Sequence, residues 1–541
     1  MITNHFVTVG ARRRQYTGAR RVHYTRAGHG PPVAMIHESP CSAKSLATAQ
    51  TILAERFTAL AFDTPGYGLS DPLPLQTPEI TDFADALAET LTALGINQAA
   101  IYGRHTGASI ALEFGRRHPA RCAMVIPDGL PIYAGPQLES RLNDYLKPLQ
   151  PSWDGAHLVW LWFRYRDQHS FWPWHAQDGT HRAGRDVPDL DVLHRGVVEF
   201  LEAGDGYRVA YAAAFRHGGK ALHALAETTV PVCCVAREGD SLFRTLTQFP
   251  PGTWIQPLAR DETAATRQTL DLLTRHPGDP TTPPAPPSQP IPGRTTPTYV
   301  DKLLVRRVNH DQQGIPLLLL HDANSSSAEL DPLLLALRCP ALAIDLPGHG
   351  ESPAATPDVG IWATAVIQAL DQLGLHQVRI YAHGAGAATA VELAHQAPNR
   401  VTALTLGSPP LLPPRLREAF AAAYAPNATP TWDAGHLLRV WHHLRDQELW
   451  SPWHERTQAT ARPGEPDITP TSLNRRTRNA LKHATLYQDN WHAALAYPLQ
   501  ERLAELPPAR IIAAPRDLFA TYNAHAQLIE DGWTARAAAL G

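Results

Sequence analysis

The same series of sequence motifs occurs twice along this chain of 541 residues. Residues 153–157 (Trp-Asp-Gly-Ala-His) are matched by residues 432–436 (Trp-Asp-Ala-Gly-His), and residues 101–107 are matched by residues 380–386. Both matches are separated by 279 positions. This period is far longer than the roughly 20–50 residues of solenoid repeats. The duplication therefore predicts two similar domains, which the length of the chain also favours.

Short apolar runs alternate with helical patterns in the first half of the chain. Strands are predicted in six places, at residues 32–36, 57–62, 99–102, 122–126, 230–235 and 253–258. Helices are predicted in four places, at residues 45–55, 80–94, 108–117 and 262–274. Residues 6–9 and 21–25 are predicted to form an antiparallel hairpin before them. Such alternation predicts a mostly parallel sheet that helices cover on both faces.

Two kinds of segment interrupt the alternation. Aromatic-rich stretches occupy residues of about 131–226 in the first half and about 410–505 in the second. Residues 277–297 are rich in proline, which fixes φ and removes the amide donor, so this segment is predicted to be a semi-extended linker. The expected organisation is a first domain at residues 1–276 and a second domain at residues 298–541, which is shorter at its C-terminus.

A glycine-framed turn joins a strand to a helix in the centre of the first domain. It reads Gly103-Arg104-His105-Thr106-Gly107. Glycine allows a sharp turn without side-chain clashes, so the residue at the apex projects from the sheet. That residue is His105, and the matching position in the second half is Gly384.

Three motifs resemble the α/β-hydrolase family: a histidine after the third strand, Asp-x-Pro-Gly-x-Gly after the fourth, and the glycine-framed turn, which in that family is the nucleophile elbow. The resemblance covers nearly the whole chain, twice. It implies two tandem α/β-hydrolase domains, each a mostly parallel, doubly wound sheet with a helical lid in the aromatic-rich stretch. The two halves are expected to pack as an intramolecular pseudo-dimer, because a duplicated chain can copy a two-fold interface.

The catalytic residues of this family are only partly present. Hydrolysis by the family uses a Ser-His-Asp triad. The resemblance places the acid at Asp240 and Asp517, but the elbow has no serine in either half, and residues 257–262 contain no histidine. The first elbow is similar to a bacterial subgroup with Gly-x-His-Thr-Gly. Two alternatives stay open: His105 is a nucleophile or general base that Asp240 orients, or its ring only fills the site of a lost serine.

An anion site is predicted beside the elbow. Its residues are Glu38, next to the expected oxyanion hole, together with Arg104 and Thr106 in the turn. The alternatives are a solvated carboxylate at position 38 and a surface ion pair at position 104.

A substrate pocket is predicted under the first lid. Its candidate residues are His37, Trp160, Phe163 and His175. Trp160 and Phe163 are chosen because the second half replaces them with Arg439 and His442. The alternative is that these rings pack the lid onto the sheet.

Composition excludes several classes of function. A net charge of −3 argues against nucleic acid or an anionic membrane surface as a partner. No apolar run reaches the roughly 18 residues of a membrane span, and no signal-peptide pattern is recognisable. Five cysteines without Cys-x-x-Cys spacing, and histidines without a ligand pattern, predict no disulfides, no metal and no other cofactor. A cytoplasmic location is therefore expected.

These observations predict an α/β-hydrolase-like enzyme that acts through its first domain on a small apolar or aromatic substrate. The reaction would be ester or lactone hydrolysis, or a base-catalysed lyase, isomerase or cyclisation step. The alternative is a non-catalytic pseudo-hydrolase that binds a small ligand or serves as a scaffold.

Overall fold

Each half of the chain forms one eight-stranded sheet in the computed structural model. The structure describes residues 1–10, 18–133, 138–184, 186–507, 509–513 and 528–530. Two compact units are formed, one by residues 1–150 and 160–289 and the other by residues 151–159 and 290–541.

The first sheet has the order β1-β2-β4-β3-β5-β6-β7-β8. Its strands are β1 (Thr3–Val9), β2 (Arg20–Ala27), β3 (Pro32–Ile36), β4 (Thr58–Phe62), β5 (Ala99–Arg104), β6 (Cys122–Asp128), β7 (Cys234–Arg237) and β8 (Ile255–Leu258). Strand β2 is antiparallel to β1 and β4, and the other pairs are parallel. Every residue of β3, β4 and β5 is buried, as expected for central strands that are covered on both faces.

Nine helices are described in the first half. They are α1 (Ala47–Leu53), α2 (Ile80–Ala93), α3 (Thr106–Arg117), α4 (Leu138–Tyr145), α5 (Ala156–Ser170), α6 (Leu190–Ala203), α7 (Tyr207–Gly218), α8 (Ala221–Glu227) and α9 (Glu262–Leu273). Helix α2 shows why they pack: Ile80, Phe83, Leu87 and Leu91 recur at helical spacing and are all buried. Helices α4 to α8 lie between β6 and β7, in the stretch predicted to form a lid.

The second sheet repeats the order of the first, as β9-β10-β12-β11-β13-β14-β15-β16. Its strands are β9 (Thr296–Val300), β10 (Leu303–Val308), β11 (Leu317–Leu320), β12 (Ala341–Ile344), β13 (Val378–His383), β14 (Val401–Gly407), β15 (Arg510–Ala513) and β16 (Leu528–Glu530). Its described helices are α10 (Asp331–Ala336), α11 (Val359–Gln372), α12 (Gly386–Gln396), α13 (Pro414–Tyr424), α14 (Gly435–Gln447), α15 (Pro470–Leu481), α16 (Tyr487–Ala496) and α17 (Leu499–Ala504). The predicted fold class, α/β with two mostly parallel sheets, is confirmed.

The proline-rich segment, predicted to be a semi-extended linker, lies partly within the first compact unit. The first compact unit extends to Gln289, beyond the predicted domain end at residue 276. Asp279 and Thr282 hydrogen-bond to this unit at Gln98 and Gly30, which explains the difference. None of the helices in the described ranges is both long and apolar enough to cross a membrane.

Candidate active site

His105 lies at the apex of the turn between β5 and α3. Its backbone has φ +49° and ψ −106°, a strained combination that is rare for any residue other than glycine. The amide of His105 donates to the carbonyl oxygen of Asp128 at 2.9 Å, which ties the turn to the end of β6. The strained backbone is held by its surroundings, as is common at functional sites.

The two glycines that frame the turn have no room for a side chain. A Cβ atom at Gly103 would lie 2.0 Å from the carbonyl oxygen of Gly107. A Cβ atom at Gly107 would lie 2.2 Å from the carbonyl oxygen of Ile36, at the end of β3. Both obstacles are backbone atoms, so the close approach of α3 to the sheet requires glycine at these positions.

The imidazole of His105 forms a dyad with Asp240, which follows β7. Its Nε2 atom is 3.0 Å from each carboxylate oxygen of Asp240. The amide of Leu242 donates to Asp240 Oδ1 at 2.8 Å and helps to hold the carboxylate in place. Because the carboxylate accepts from Nε2–H, Nδ1 is the ring nitrogen left to accept a proton. The side chain of His105 is 27% exposed, so solvent can reach the ring.

Charges around the dyad favour its ionised form. Burial lowers the pKa of His105, but the carboxylates of Asp240, Glu38 and Asp128 outweigh burial and raise this pKa above its usual value. Burial raises the pKa of Asp240, but the charge of His105 and its hydrogen bond outweigh burial and hold that pKa well below its usual range. The contact with Asp240 therefore favours the protonated form of the His105 ring relative to a free imidazole.

We expect His105 to titrate above its reference pKa of 6.5, and to titrate at lower pH in Asp240→Asn, because that change removes the largest attraction for the imidazolium. By linkage, the stabilisation from the pair is fully present below 6.5 and is lost as pH rises through the higher folded pKa. The titration can be followed by NMR of the His105 ring proton, assigned with His105→Gln. A ring that titrates at or below 6.5 would contradict this expectation.

Arg104, predicted as an anion-binding residue, is surrounded by carboxylates instead. Its guanidinium is 3.2 Å from Glu262 and 3.8 Å from both Glu38 and Asp128. Arg237 approaches Glu262 at 3.7 Å and so extends the same network. Because Arg104 is buried and faces three acids, the geometry favours a structural ion-pair network over a substrate-binding role.

The two other residues of the predicted anion site are Glu38, which carries a negative charge, and Thr106, which offers a backbone amide. Glu38 contacts Arg104 and accepts a long hydrogen bond of 3.4 Å from the hydroxyl of Ser45. Burial raises the pKa of Glu38, but Arg104 outweighs burial and lowers it, so Glu38 is an anion beside the dyad. Thr106 is the first residue of α3, so its amide has no acceptor within the helix and remains a candidate oxyanion donor.

His37, predicted to line the pocket, connects the ends of two strands. Its Nδ1–H donates to the carbonyl oxygen of Glu38 at 2.8 Å, and its Nε2 accepts from the amide of Thr64 at 3.0 Å. Burial lowers the pKa of His37, which keeps the ring neutral. His321 makes the matching bonds at 2.7 and 3.0 Å in the second half. The geometry therefore favours a structural role for His37, because both ring nitrogens are engaged with backbone.

Trp160 and Phe163, the pocket residues predicted on α5, lie on a different face of the helix from the residue that contacts the loop after β3. Trp162 and Tyr165 are buried, whereas Trp160 and Phe163 are partly exposed. The hydroxyl of Tyr165 is 3.6 Å from Cys41 Sγ, in the loop after β3. Tyr165 is thus a residue of α5 that contacts the loop after β3 and that the sequence interpretation missed. Comparison of the two halves gave no information on which helix face turns inward.

His175 and Trp160 contact other lid rings. Both make edge contacts with Trp174, at centroid distances of 5.6 and 6.2 Å. Phe163 lies under the guanidinium of Arg166 at 4.4 Å. Within the described part of the chain, these ring contacts are local to the lid, so the structure does not bring Trp160, Phe163 or His175 together with His105.

A buried carboxylate connects the first lid to the loop after β3. Glu199 on α6 accepts hydrogen bonds from the amide and the hydroxyl of Ser42, at 2.6 and 2.8 Å. Burial raises the pKa of Glu199 to about 7. The carboxyl group of Glu199 therefore stays protonated in the folded protein up to about neutral pH, and above that pH it becomes a buried carboxylate.

We expect Glu199→Gln to stabilise the protein at pH 8 by about 1–2 kcal/mol, because an amide oxygen can accept the same bonds without a buried charge. A raised folded pKa favours folding at low pH, and this contribution is lost as pH rises through about 7. The gain should shrink at pH 5, where Glu199 is protonated. Urea unfolding at both pH values measures it, with the exposed Glu455→Gln as the control. An equal effect at both pH values would refute the expectation.

The second elbow is blocked by a side chain of its own unit. Gly384 takes the apex position with φ +55°, and its amide donates to Gly407 at 2.8 Å, as His105 does to Asp128. The carboxylate of Asp322 accepts from the amides of Ala323 and Ala385 at 2.8 and 2.7 Å. These amides occupy the positions of oxyanion-hole donors. The carboxylate of Asp322 therefore takes the place in which an oxyanion would bind. The sequence signal was available, because Asp322 follows His321 as Glu38 follows His37. Asp517 lies outside the described residues.

The strand order and elbows define the α/β-hydrolase fold, and comparison with known proteins agrees with this assignment. Residues 315–437 match the family model described as alpha/beta hydrolase fold.

Curated relatives match over short stretches. An uncharacterized protein of Mycobacterium tuberculosis is 30% identical over 102 residues, which are 19% of this chain and 29% of the relative. A soluble epoxide hydrolase of Corynebacterium sp. is 32% identical over 17% of this chain and 32% of the relative. The 2-(acetamidomethylene)succinate hydrolase of Mesorhizobium japonicum is 26% identical over 26% of this chain and 50% of the relative. The chain thus spans half or less of the length of these relatives.

Solved structures resemble about half of the chain each. An esterase from Thermogutta terrifontis is 14% identical with a TM-score of 0.39, and covers 50% of this chain and 97% of its own. Epoxide hydrolase A from Mycobacterium thermoresistibile is 17% identical with a TM-score of 0.39, and covers 51% of this chain and 98% of its own.

Proposed function

We propose that the first unit is an α/β-hydrolase-like enzyme in which the His105–Asp240 dyad acts as a general base on a small substrate. The observation that carries the proposal is the bidentate contact of the Asp240 carboxylate with His105 Nε2, made at the strained apex of the elbow. A ring that merely filled the site of a lost residue would not require an oriented carboxylate. Hydrolysis is the first reaction class to test, because two curated relatives are named as hydrolases.

The proposed reaction is the hydrolysis of an ester or lactone by an activated water. Asp240 fixes the ring through Nε2–H, so Nδ1 accepts a proton from water as the water oxygen bonds to the carbonyl carbon. The amide of Thr106 stabilises the oxyanion that develops on the carbonyl oxygen. The tetrahedral intermediate then collapses, the bond to the leaving oxygen breaks, and the imidazolium returns its proton to that oxygen.

The electrostatics of the dyad set the pH dependence of this reaction. Only neutral His105 can accept the proton, and its pKa lies above the usual value because Asp240 and Glu38 outweigh burial. We therefore propose that activity rises with pH through that raised pKa. The same base could serve a lyase, isomerase or cyclisation step, in which the proton comes from carbon.

A second candidate function is the binding of a small ligand without turnover. The observation in its favour is that the apex of the first elbow carries a partly exposed imidazole in place of a hydroxyl nucleophile. The second unit, whose elbow carries Gly384, would serve as a scaffold in this case.

One experiment separates the two candidates. Purified full-length protein and His105→Ala are assayed on p-nitrophenyl esters of increasing acyl length and on γ- and δ-lactones, and melting temperatures are recorded with each compound. Turnover by the wild type that is lost in the variant supports the enzyme. Equal inertness of both proteins, with a ligand-induced rise in melting temperature only in the wild type, supports the binding function instead.

A further inference from the structure

A cavity of about 460 Å³ opens at the N-terminal edge of the second sheet, opposite the edge that carries the elbow. Its apolar part consists of residues just before β11, β12 and β13, including Ile315, Pro340 and Leu375. Its polar part includes Arg307 at the end of β10, with His310 and His376. The proposed enzyme activity makes no use of this groove.

The same groove exists in the first unit, as strand register shows. Arg26 on β2 pairs with Leu60 on β4, and Arg307 on β10 pairs with Leu342 on β12 in the matching position. The turn at residues 94–98 corresponds to residues 373–377, because both lie just before the strand that leads to the elbow and differ by the repeat offset of 279.

The groove of the first unit is filled by residues 278–283 of the chain itself. The carboxylate of Asp279 accepts from the amides of Asn97 and Gln98 at 3.1 and 2.9 Å, and the amide of Asp279 donates to the carbonyl oxygen of Gln98 at 3.2 Å. Asp279 thus pairs with the turn through both its side-chain carboxylate and its backbone amide.

Further contacts hold the rest of the filling segment. The guanidinium of Arg26 donates to the carbonyl oxygens of Thr282 and Pro283, and the hydroxyl of Thr282 donates to Gly30 at 2.9 Å. The ring of Pro283 lies against Gly95, where a Cβ atom would be 3.6 Å from Cγ. Extended proline-containing chain therefore fits this groove with its carbonyls paired.

The second groove keeps the recognition groups but is open. Arg307 corresponds to Arg26, and its Nε atom is buried without a hydrogen-bond partner among the described residues. Burial lowers the pKa of Arg307, and across the described ranges no carboxylate forms an ion pair with it. His376 and Gln377 line the cavity at the positions that correspond to Asn97 and Gln98, whose amides bind a carboxylate in the first unit.

We propose that the second groove is a docking site for an extended Gly-Asp-Pro-type segment of a partner polypeptide. The aspartate carboxylate would accept from the amides of His376 and Gln377, and Arg307 would donate to the carbonyl oxygens three and four residues further on. This arrangement repeats in trans the contacts that residues 278–283 make within the first unit.

The test uses the full-length protein and a fluorescein-labelled synthetic peptide with the sequence of residues 276–285. We expect saturable binding by fluorescence anisotropy, weakened at least tenfold by Arg307→Ala and also by an asparagine in place of the peptide's aspartate. Arg415→Ala, an exposed arginine on α13, is the matched control and should leave binding unchanged. Circular dichroism confirms that both variants are folded.

Four results would overturn the proposal. The first is an absence of saturation up to millimolar protein, and the second is equal binding by wild type and Arg307→Ala. The third is complete displacement of the peptide by acetate or phosphate at a concentration equal to that of unlabelled peptide, which would make the groove a small-anion site. If sedimentation shows self-association that Arg307→Ala abolishes, the occupant is a second copy, and the partner assigned here is wrong.

Discussion

Replacing His105 with alanine should lower the kcat for any ester or lactone that the first unit turns over by about 10²–10⁴-fold, the range seen when a positioned general base is removed. KM should change little, because the imidazole acts on the attacking water rather than on the body of the substrate. Steady-state kinetics on the best substrate from the screen provide the measurement.

The control for this prediction is a second His–Asp pair at a similar distance, made through the other ring nitrogen. His181 Nδ1 lies 2.9 Å from both carboxylate oxygens of Asp178, on an exposed turn of the first lid. His181→Ala should keep full activity. Asp240→Asn should lower kcat and also shift the pH–rate profile to lower pH, because it removes the main attraction for the imidazolium of His105. If His105→Ala retained kcat within about twofold, the dyad would not be the catalytic base.

Gly107→Ala should destabilise the first unit by about 2–4 kcal/mol, a large effect for the addition of one methyl group. The new Cβ atom would lie 2.2 Å from the carbonyl oxygen of Ile36, so α3 and β3 would have to separate. Since α3 positions His105, catalysis should be lost together with stability. Chemical denaturation monitored by circular dichroism measures the change in the free energy of unfolding.

A glycine in open surroundings gives the matched control. Gly179 has no atom within 4 Å of the position where a Cβ would stand, and its φ is not positive. Gly179→Ala should therefore change stability by less than about 0.5 kcal/mol. An effect of Gly107→Ala as small as that of Gly179→Ala would show that the framing glycines are not required by close packing.

Most of the fold could be predicted from the sequence because hydrophobic runs and glycine-rich turns mark the strands directly. Strand β3 has the predicted bounds of residues 32–36. The strand predicted at residues 230–235 was less accurate, since β7 spans Cys234–Arg237. The first part of the predicted run meets β6 only through an isolated parallel bridge between Val125 and Val232, and Pro231 has no amide donor with which to extend that pairing.

The site was less predictable because side-chain direction and charge pairing depend on tertiary contacts. The structure brings His105 and Asp240 together at the positions that the family resemblance implied. The acidic partners of Arg104 were not predicted, because Asp128 at the end of β6 and Glu262 at the start of α9 are distant from it in sequence. The inward face of α5 depends on the rotation of the helix, which the pattern of aromatic residues did not reveal.

The carboxylate of Asp322 in the second elbow has a consequence for any side chain placed at Gly384. A side chain restored at Gly384 would meet that carboxylate, whose Cγ lies 2.5 Å from the position of the new Cβ atom. Removing Asp322 alone would free two amides but supply no reactive group. A side chain at this apex with free neighbouring amides would therefore require substitutions at both Gly384 and Asp322, and the effects of the two substitutions should not be additive.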